Sequence, residues 1–409
     1  MLVSRRCLLL ATPALVLPYR RALALTPAQN LLLNSGPRQV TIPLVGSIPA
    51  GWTFARASTA TYMNRGVLYT ALANVPRFET DANGVPLGYW NGPAATNPVL
   101  YSRDLTNVSN WFPGNLTAAK NATGVDGAAN AASTLTIGTT AGLIYEIQTV
   151  SQSTDYTFSF WAKAGNATGP QYAVYDVTNS VFLVASTTYA PGAGAFSRIS
   201  VPFTTAGTTT SVRIYPVRNV AGTGTVIIDG AQLDTGTFAT STIFTAGTAV
   251  TRNADNLSVP LSLYPWWASS RGFSGAIRFT SGGAAQSSVN VLDITDGTSS
   301  NRITLALQSA NKAVVSYYVA GSGVASSSYT LNAVGAGNSF ALSSSNLGLS
   351  FSLNGASVIT LSKPGMWVPT LMGLGRSSIF ASGYAAMHAL SLTLRAGPSS
   401  TAWLQNGNY

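Results

Sequence analysis

The sequence predicts a mostly-β chain: two antiparallel β-sandwich domains, jelly-roll-like in their strand pattern, after an irregular N-terminal segment. Three observations carry this. Charged residues make up only 8% of the 409 residues, against roughly 25% in an ordinary globular domain, and Gly, Ser, Thr, Ala and Asn fill the space between short apolar runs. Those runs alternate apolar and polar side chains with period two and are separated by turn residues. No stretch sustains a helical period together with caps, so little helix is expected. A hydrophobic content of 46% with 10% aromatics supplies enough apolar surface to offset the ordering entropy of the chain, which argues against disorder. The length accommodates two or three domains, each with its own core.

The elements follow in order. Residues 1–29 hold Ser4-Arg5-Arg6, an apolar run from Cys7 to Pro18, and Ala22-Leu23-Ala24. This pattern suits an export signal with a twin-arginine flavour, or a retained apolar peg flanked by Arg5, Arg6, Arg20 and Arg21. Residues 30–96 interleave Trp52, Phe54, Tyr62, Tyr69, Phe78, Tyr89 and Trp90 with Gly and Pro and read as an irregular β connector. Residues 97–255 carry the first sandwich. In Asp155–Lys163 the alternation sets Tyr156, Phe158, Phe160 and Ala162 on a core face and Thr157, Ser159, Trp161 and Lys163 on the other; 171–177, 197–203, 211–217 and 225–233 alternate similarly. Residues 264–395 form the second sandwich, with strands over 275–279, 289–294, 302–307 and 313–319, and a hairpin within 347–361 turning at Asn354-Gly355. Residues 396–409 are a tail.

Composition excludes several function classes. The net charge of +10 reflects only 12 acids, and no basic stripe is present, so no nucleic-acid partner is expected. Of the 22 cations all but Lys120, Lys163, Lys312 and Lys363 are Arg, a bias that genome composition would explain as well as function. With one cysteine, Cys7, and one histidine, His388, zinc and redox motifs are excluded. A glycosidase needs two facing carboxylates. The only glutamates, Glu79 and Glu146, fall in different segments, and Asp293 and Asp296 read as turn chemistry, so no catalytic residue is assigned and an enzyme is not expected. His388 lies in an apolar strand and reads as a core or edge histidine.

One array of motifs is more specific. D-G-A-Q-L-D-T-G-T-F-A-T-S-T-I-F-T-A-G-T-A-V-T-R-N-A-D at Asp229–Asp255, preceded by F-A-R-A-S-T-A-T-Y at Phe54–Tyr62, N-V-P-R-F at Asn74–Phe78 and N-P-V-L-Y-S-R-D-L at Asn97–Leu105, resembles bacteriophage virion appendage proteins with a carbohydrate-binding-module-like β-sandwich. Downstream, D-I-T-D-G-T-S-S-N-R-I, L-S-F-S-L-N-G, L-M-G-L-G-R and A-L-S-L-T-L-R resemble concanavalin-like and laminin-G-like jelly rolls. The resemblance implies a structural protein of a tail fibre, tail tip or capsid fibre on the virion surface. Such a protein serves host-surface adhesion, joins other virion proteins through its N-terminal segment, and assembles as a homotrimer. A secreted bacterial glycan-binding protein is the alternative implied by the signal-like N-terminus.

Flat aromatic side chains stack on sugar rings while polar groups fix orientation. Alternation places Trp161, Lys163, Tyr175, Arg213 and Tyr215 on outward faces, which makes them the candidate glycan-binding residues. The other reading of Trp161 is packing against a neighbouring domain or subunit. No cofactor is expected beyond a weak calcium site, for which the resemblance points to Asp229, Asp293 and Asp296.

Overall fold

A computed structural model describes residues 38–406 except 140, 220–221, 268–271, 283–288, 310, 327 and 380–382. The two readings of residues 1–29 lie outside the described residues. The described residues belong to one compact unit, nearly all of it antiparallel β-structure.

The first sandwich packs two five-stranded sheets face to face. One sheet runs Ser197–Thr204, Asp155–Ala164, Gly224–Thr235, Ala132–Ile137, Leu116–Ala122; the other runs Val181–Thr188, Gln171–Asp176, Ser211–Arg218, Leu143–Thr149, Phe112–Gly114. The expected alternation sets the core: Phe158, Phe160, Val201, Ile228 and Leu233 meet Ile144, Val174, Val212, Ile214 and Val217 between the sheets, with Trp111 closing one end. At Gly230 the backbone turns left-handed, with φ of 54°, and the register between Asp155–Ala164 and Gly224–Thr235 shifts between Ser159 and Trp161. Glycine makes this β-bulge accessible.

The second sandwich contains more of the chain than its sequence pattern suggested. One sheet orders Ile359–Ser362, Gly348–Leu353, Gly337–Ser345, Phe273–Ser281, Met387–Ala396, Pro86–Asn91 and Arg77–Thr80, with Gln39–Pro43 also paired to Met387–Ala396. The other orders Thr53–Ala55, Asn256–Pro260, Leu371–Leu374, Val289–Thr295, Arg302–Ser309, Lys312–Val319 and Ser322–Ala325. Of the described residues 38–96, the strands Gln39–Pro43, Thr53–Ala55, Arg77–Thr80 and Pro86–Asn91 join these two sheets, whereas Ala60–Asn64 pairs with Val67–Ala71 and Ala95–Asn97 with Val250–Arg252 in small ribbons of their own; Trp52 and Tyr89 lie in the second core. The reason is backbone satisfaction, since edge strands need partners and the early segments supply them. Close pairing of Pro86–Asn91 with Met387–Ala396 depends on Gly88, at φ of 106°, where a Cβ would lie 2.4 Å from the Ala389 carbonyl oxygen. The tail is also structured. Thr401–Gln405 forms a short helix capped by the Ser400 side chain, and Leu404 packs on Ala276 and Ala341. Asn354 and Gly355 both take positive φ and the Ala356 N–H closes the turn on the Leu353 carbonyl. The partner strand resumes only at Ile359, so the hairpin connection is longer than two residues.

Three of the four motifs that carried the resemblance meet at one buried ion cluster, and the fourth is tied to the Asp229–Asp255 segment by hydrogen bonds of its own. Asp255 Oδ1 accepts from Arg56 Nη1 at 2.7 Å, and its Oδ2 accepts from Arg77 Nη2 and, at 2.9 Å, from the Gly92 N–H. Arg56 also donates to the carbonyls of Ser58, Leu72 and Val75, and Arg77 to the Thr61 carbonyl and Ser241 Oγ. The side chains of Arg56, Arg77 and Asp255 are wholly enclosed. Nearby, Arg252 donates to the Pro93 carbonyl; burial and the adjacent Arg77 lower its guanidinium to a pKa of about 10. The N-P-V-L-Y-S-R-D-L motif contributes Asn97, whose side-chain N–H groups reach the carbonyls of Ala231 and Ile243.

Two predictions follow from the buried charges. Removing one partner of a buried ion pair leaves the other unpaired in a low dielectric and typically costs about 3–5 kcal/mol. Asp255→Asn is expected to lose that much in denaturant unfolding, with loosening of both sandwiches seen by hydrogen exchange. The second concerns Glu146, which points into the first core at 3% exposure. Its Oε1 accepts from the Leu100 N–H and Gln148 Nε2, its Oε2 has no partner, and burial pushes its carboxyl from an ordinary 4.5 to about 8. The folded chain thus holds a proton that the unfolded chain releases, so stability falls as pH rises from 4.5 to about 8, by about 1.4 kcal/mol per unit at full effect. Glu146→Gln should flatten that slope and raise the melting temperature at pH 8.

Candidate functional site

The outer face of the sheet containing Ser211–Arg218 carries a closed ring of aromatic and guanidinium groups. Strand parity builds it. Val212, Ile214 and Val217 fill the core, which turns Arg213, Tyr215 and Arg218 outward; the alternation skips a residue at Pro216, where the register with Leu143–Thr149 shifts. Tyr145, Tyr175 and Phe182 arrive from neighbouring strands, Tyr175 standing opposite both Arg213 and Phe182.

Each member of the ring touches the next. The Arg213 guanidinium lies 4.7 Å from the Tyr145 ring centroid and 5.8 Å from that of Tyr175. Tyr175 meets Phe182 edge-on at 4.9 Å. Arg218 lies 4.5 Å from the Phe182 centroid and 5.6 Å from that of Tyr215, and Tyr215 returns to Tyr145 at 5.1 Å. Phe112 stacks on the outside of Tyr145 at 5.3 Å. Cation–π contacts of this kind contribute roughly 0.5–1 kcal/mol each at exposed sites, enough to hold the rings upright. Phe112 and Phe182 are 38% and 41% exposed, so apolar rings face solvent. Among the described residues neither Arg213 nor Arg218 forms an ion pair. Arg218 donates to Ser186 Oγ, and Arg213 Nε has no partner. The two acids of this sheet, Glu146 and Asp176, are buried. The face is therefore aromatic, cationic and free of carboxylates.

Of the five residues expected to meet a glycan, three come together here: Tyr175 and Arg213 half-buried, and Tyr215 at 4% exposure, covered by its neighbours. Lys163 is on the opposite sheet, half-buried. Trp161 is corrected more sharply. It does lie opposite the Phe158 and Phe160 face, but it is 7% exposed, packed with Leu68, Val125, Met63, Phe196 and Phe244, and its Nε1 donates to Thr242 Oγ1. Segments 63–68 and 242–244 of the same chain cover it. Phe112, Tyr145, Phe182 and Arg218 were missed, although Tyr145 and Phe182 sit in alternating segments where the same parity rule applies.

The three aspartates considered for calcium are held by other partners. Asp229 receives Arg103 through two nitrogens and the Val125 N–H. Burial keeps its carboxyl above the ordinary value even so. Asp293 receives Arg302 through two nitrogens, Ser377 Oγ and the Ser378 N–H. Asp296 caps its own turn through Thr298 and Asn301. Calcium wants six to eight oxygens, and among the described residues no group of three or more Asp, Glu, His or Cys is placed to hold a metal. Glu79 and Glu146 lie in different sandwiches, and His388 is half-buried with its Nε2 2.9 Å from Glu79 Oε2.

No family model matches the chain, and no curated protein matches it. Among solved structures, the enzymatically active domain of tailspike protein 4 from bacteriophage CBA120 overlaps 34% of this chain and 21% of its own length, at 18% identity and a TM-score of 0.27. The N-terminal tandem domain CBM22-1-CBM22-2 of Xyn10C from Paenibacillus barcinonensis overlaps 75% of this chain and 99% of its own, at 10% identity and a TM-score of 0.27. At that score neither likeness bears on function.

Proposed function

We propose that this chain is a bacteriophage virion surface protein, a tail-fibre, tail-tip or capsid-fibre component, that binds host-surface glycan through the aromatic and guanidinium ring of its first sandwich. The single observation behind this is the ring itself: aromatic side chains held by two arginines that form no ion pair among the described residues. Rigid aromatic faces cover the apolar side of a pyranose at small entropic cost, and guanidinium N–H groups donate to its hydroxyls. The motif array over 54–105 and 229–255 supports the virion context. In this reading the protein acts by adhesion, and three copies assemble so that weak faces act together.

Binding of the purified protein to host cells and to a glycan array tests the reading. Tyr145→Ala and Arg213→Gln should each weaken binding about tenfold, equivalent to about 1.4 kcal/mol, with the melting temperature little changed. Trp161→Ala is expected to behave oppositely, costing roughly 3–5 kcal/mol of stability as a buried indole while the folded fraction still binds. Retention of full binding by both ring variants would remove the face from consideration.

A further inference from the structure

A second site lies away from the ring, in a cavity of about 390 Å³ where strands of residues 60–90, the first sandwich and the second sandwich meet. That volume falls in the range of small-ligand sites, which favour such junctions. Its walls include the rings of Trp90, Trp161 and Tyr62. Both indole N–H groups are turned to protein hydroxyls, Trp90 to Ser241 and Trp161 to Thr242, so carbon surface lines the space.

The polar groups on the wall are biased toward donors. Arg198 gives one N–H to the Thr240 carbonyl and one to Ser159 Oγ, its Nε has no partner, and it belongs to none of the ion pairs among the described residues. A guanidinium has five N–H groups; with two bonded and the Nε–H enclosed, one on each terminal nitrogen remains for a ligand. Ser241 Oγ already accepts from Arg77 and Trp90, which fills its lone pairs and leaves its own O–H to donate. Glu79 is the one carboxylate on the wall, and both its oxygens are engaged, Oε1 with the Met63 N–H and Oε2 with His388. Behind Ser241, the arginines 56, 77 and 252 share the carboxylate of Asp255, and the buried Asp234 acts on both Arg252 and Arg198. The cavity is thus aromatic-walled and rich in donors, and around it the guanidinium groups of Arg56, Arg77, Arg198 and Arg252 outnumber the carboxylates of Glu79, Asp234 and Asp255 by one.

We infer that this cavity binds a carboxylate-bearing sugar residue, of the hexuronate class, with the carboxylate on Arg198 and Ser241 and the pyranose against Trp90 and Trp161. A charge-assisted bond to guanidinium is stronger than one between neutral groups and selects the acid over its neutral counterpart. The site stands apart from the ring of the first sandwich and does not depend on it.

Titration of the full chain with sodium D-glucuronate and with D-glucose at matched ionic strength, followed by tryptophan emission, tests this. Glucuronate should saturate at about tenfold lower concentration than glucose, as a charge-assisted pair requires. Arg198→Met should erase that preference, and Glu79→Gln, which removes the opposing charge, should tighten glucuronate binding several-fold. If Arg198→Met does not fold, the direction of the Glu79→Gln change decides alone. Equal response to both sugars, no saturation with glucuronate, or a Glu79→Gln variant that binds no better would each overturn the inference. So would loss of the response in Arg213→Gln, which would place the binding on the ring instead.

Discussion

The arrangement of the molecule depends on one carboxylate. Asp255 sits with Arg56 and Arg77 on its two oxygens and the Gly92 N–H beside them, and all three side chains are cut off from solvent. Placing such charges in the interior costs several kcal/mol each, and their attraction offsets this only when the remaining donors are satisfied. Here most are: Arg56 and Arg77 reach the backbone of Ser58, Thr61, Leu72 and Val75 and the hydroxyl of Ser241. The cluster therefore acts by geometry. It fixes the 56–77 segment, the entry to Asn256–Pro260 and the exit of the first sandwich at one point, which sets how the two sandwiches lie together.

Arginine suits this task where lysine would not. A planar fork with five donors can hold a carboxylate and two or three carbonyls at once, whereas an ammonium is a compact point charge that hydrates strongly. The same use recurs at Arg103 with Asp229 and Asp126, and at Arg302 with Asp293. Elsewhere the same planarity lets Arg213 and Arg218 lie against aromatic rings. Among the described residues these last two form no ion pair.

Burial divides the aromatic residues into two groups. Trp161 and Trp90 are drawn into the joint between modules, where their indole nitrogens bond to Thr242 and Ser241. Phe112 and Phe182 remain open on the outer sheet. Residues of similar chemistry are thus packed in one place and open to solvent in another, and the difference is set by whether another segment of the chain covers the strand face. No helix among the described residues is long and apolar enough to cross a membrane.

The sequence by itself determined what neighbouring residues decide together. The strands over 155–163, 197–203, 211–217 and 313–319, the inward position of Phe158 and Phe160, and the outward direction of Tyr175 and Arg213 all follow from side chains pointing to alternate faces of a strand. Recognising the four motifs was also possible, but their purpose was not, because Arg56 and Arg77 find Asp255 across 199 and 178 residues. Asp229 looked available to a metal for the same reason, its partner Arg103 lying 126 residues away, whereas Asp293 meets Arg302 nine residues on, across one hairpin. Trp161 shows the limit most plainly. Alternation gave its face correctly, yet exposure of a face is a property of whatever packs over it, and the segments around Leu68 and Phe244 that cover the indole are brought there by tertiary structure alone.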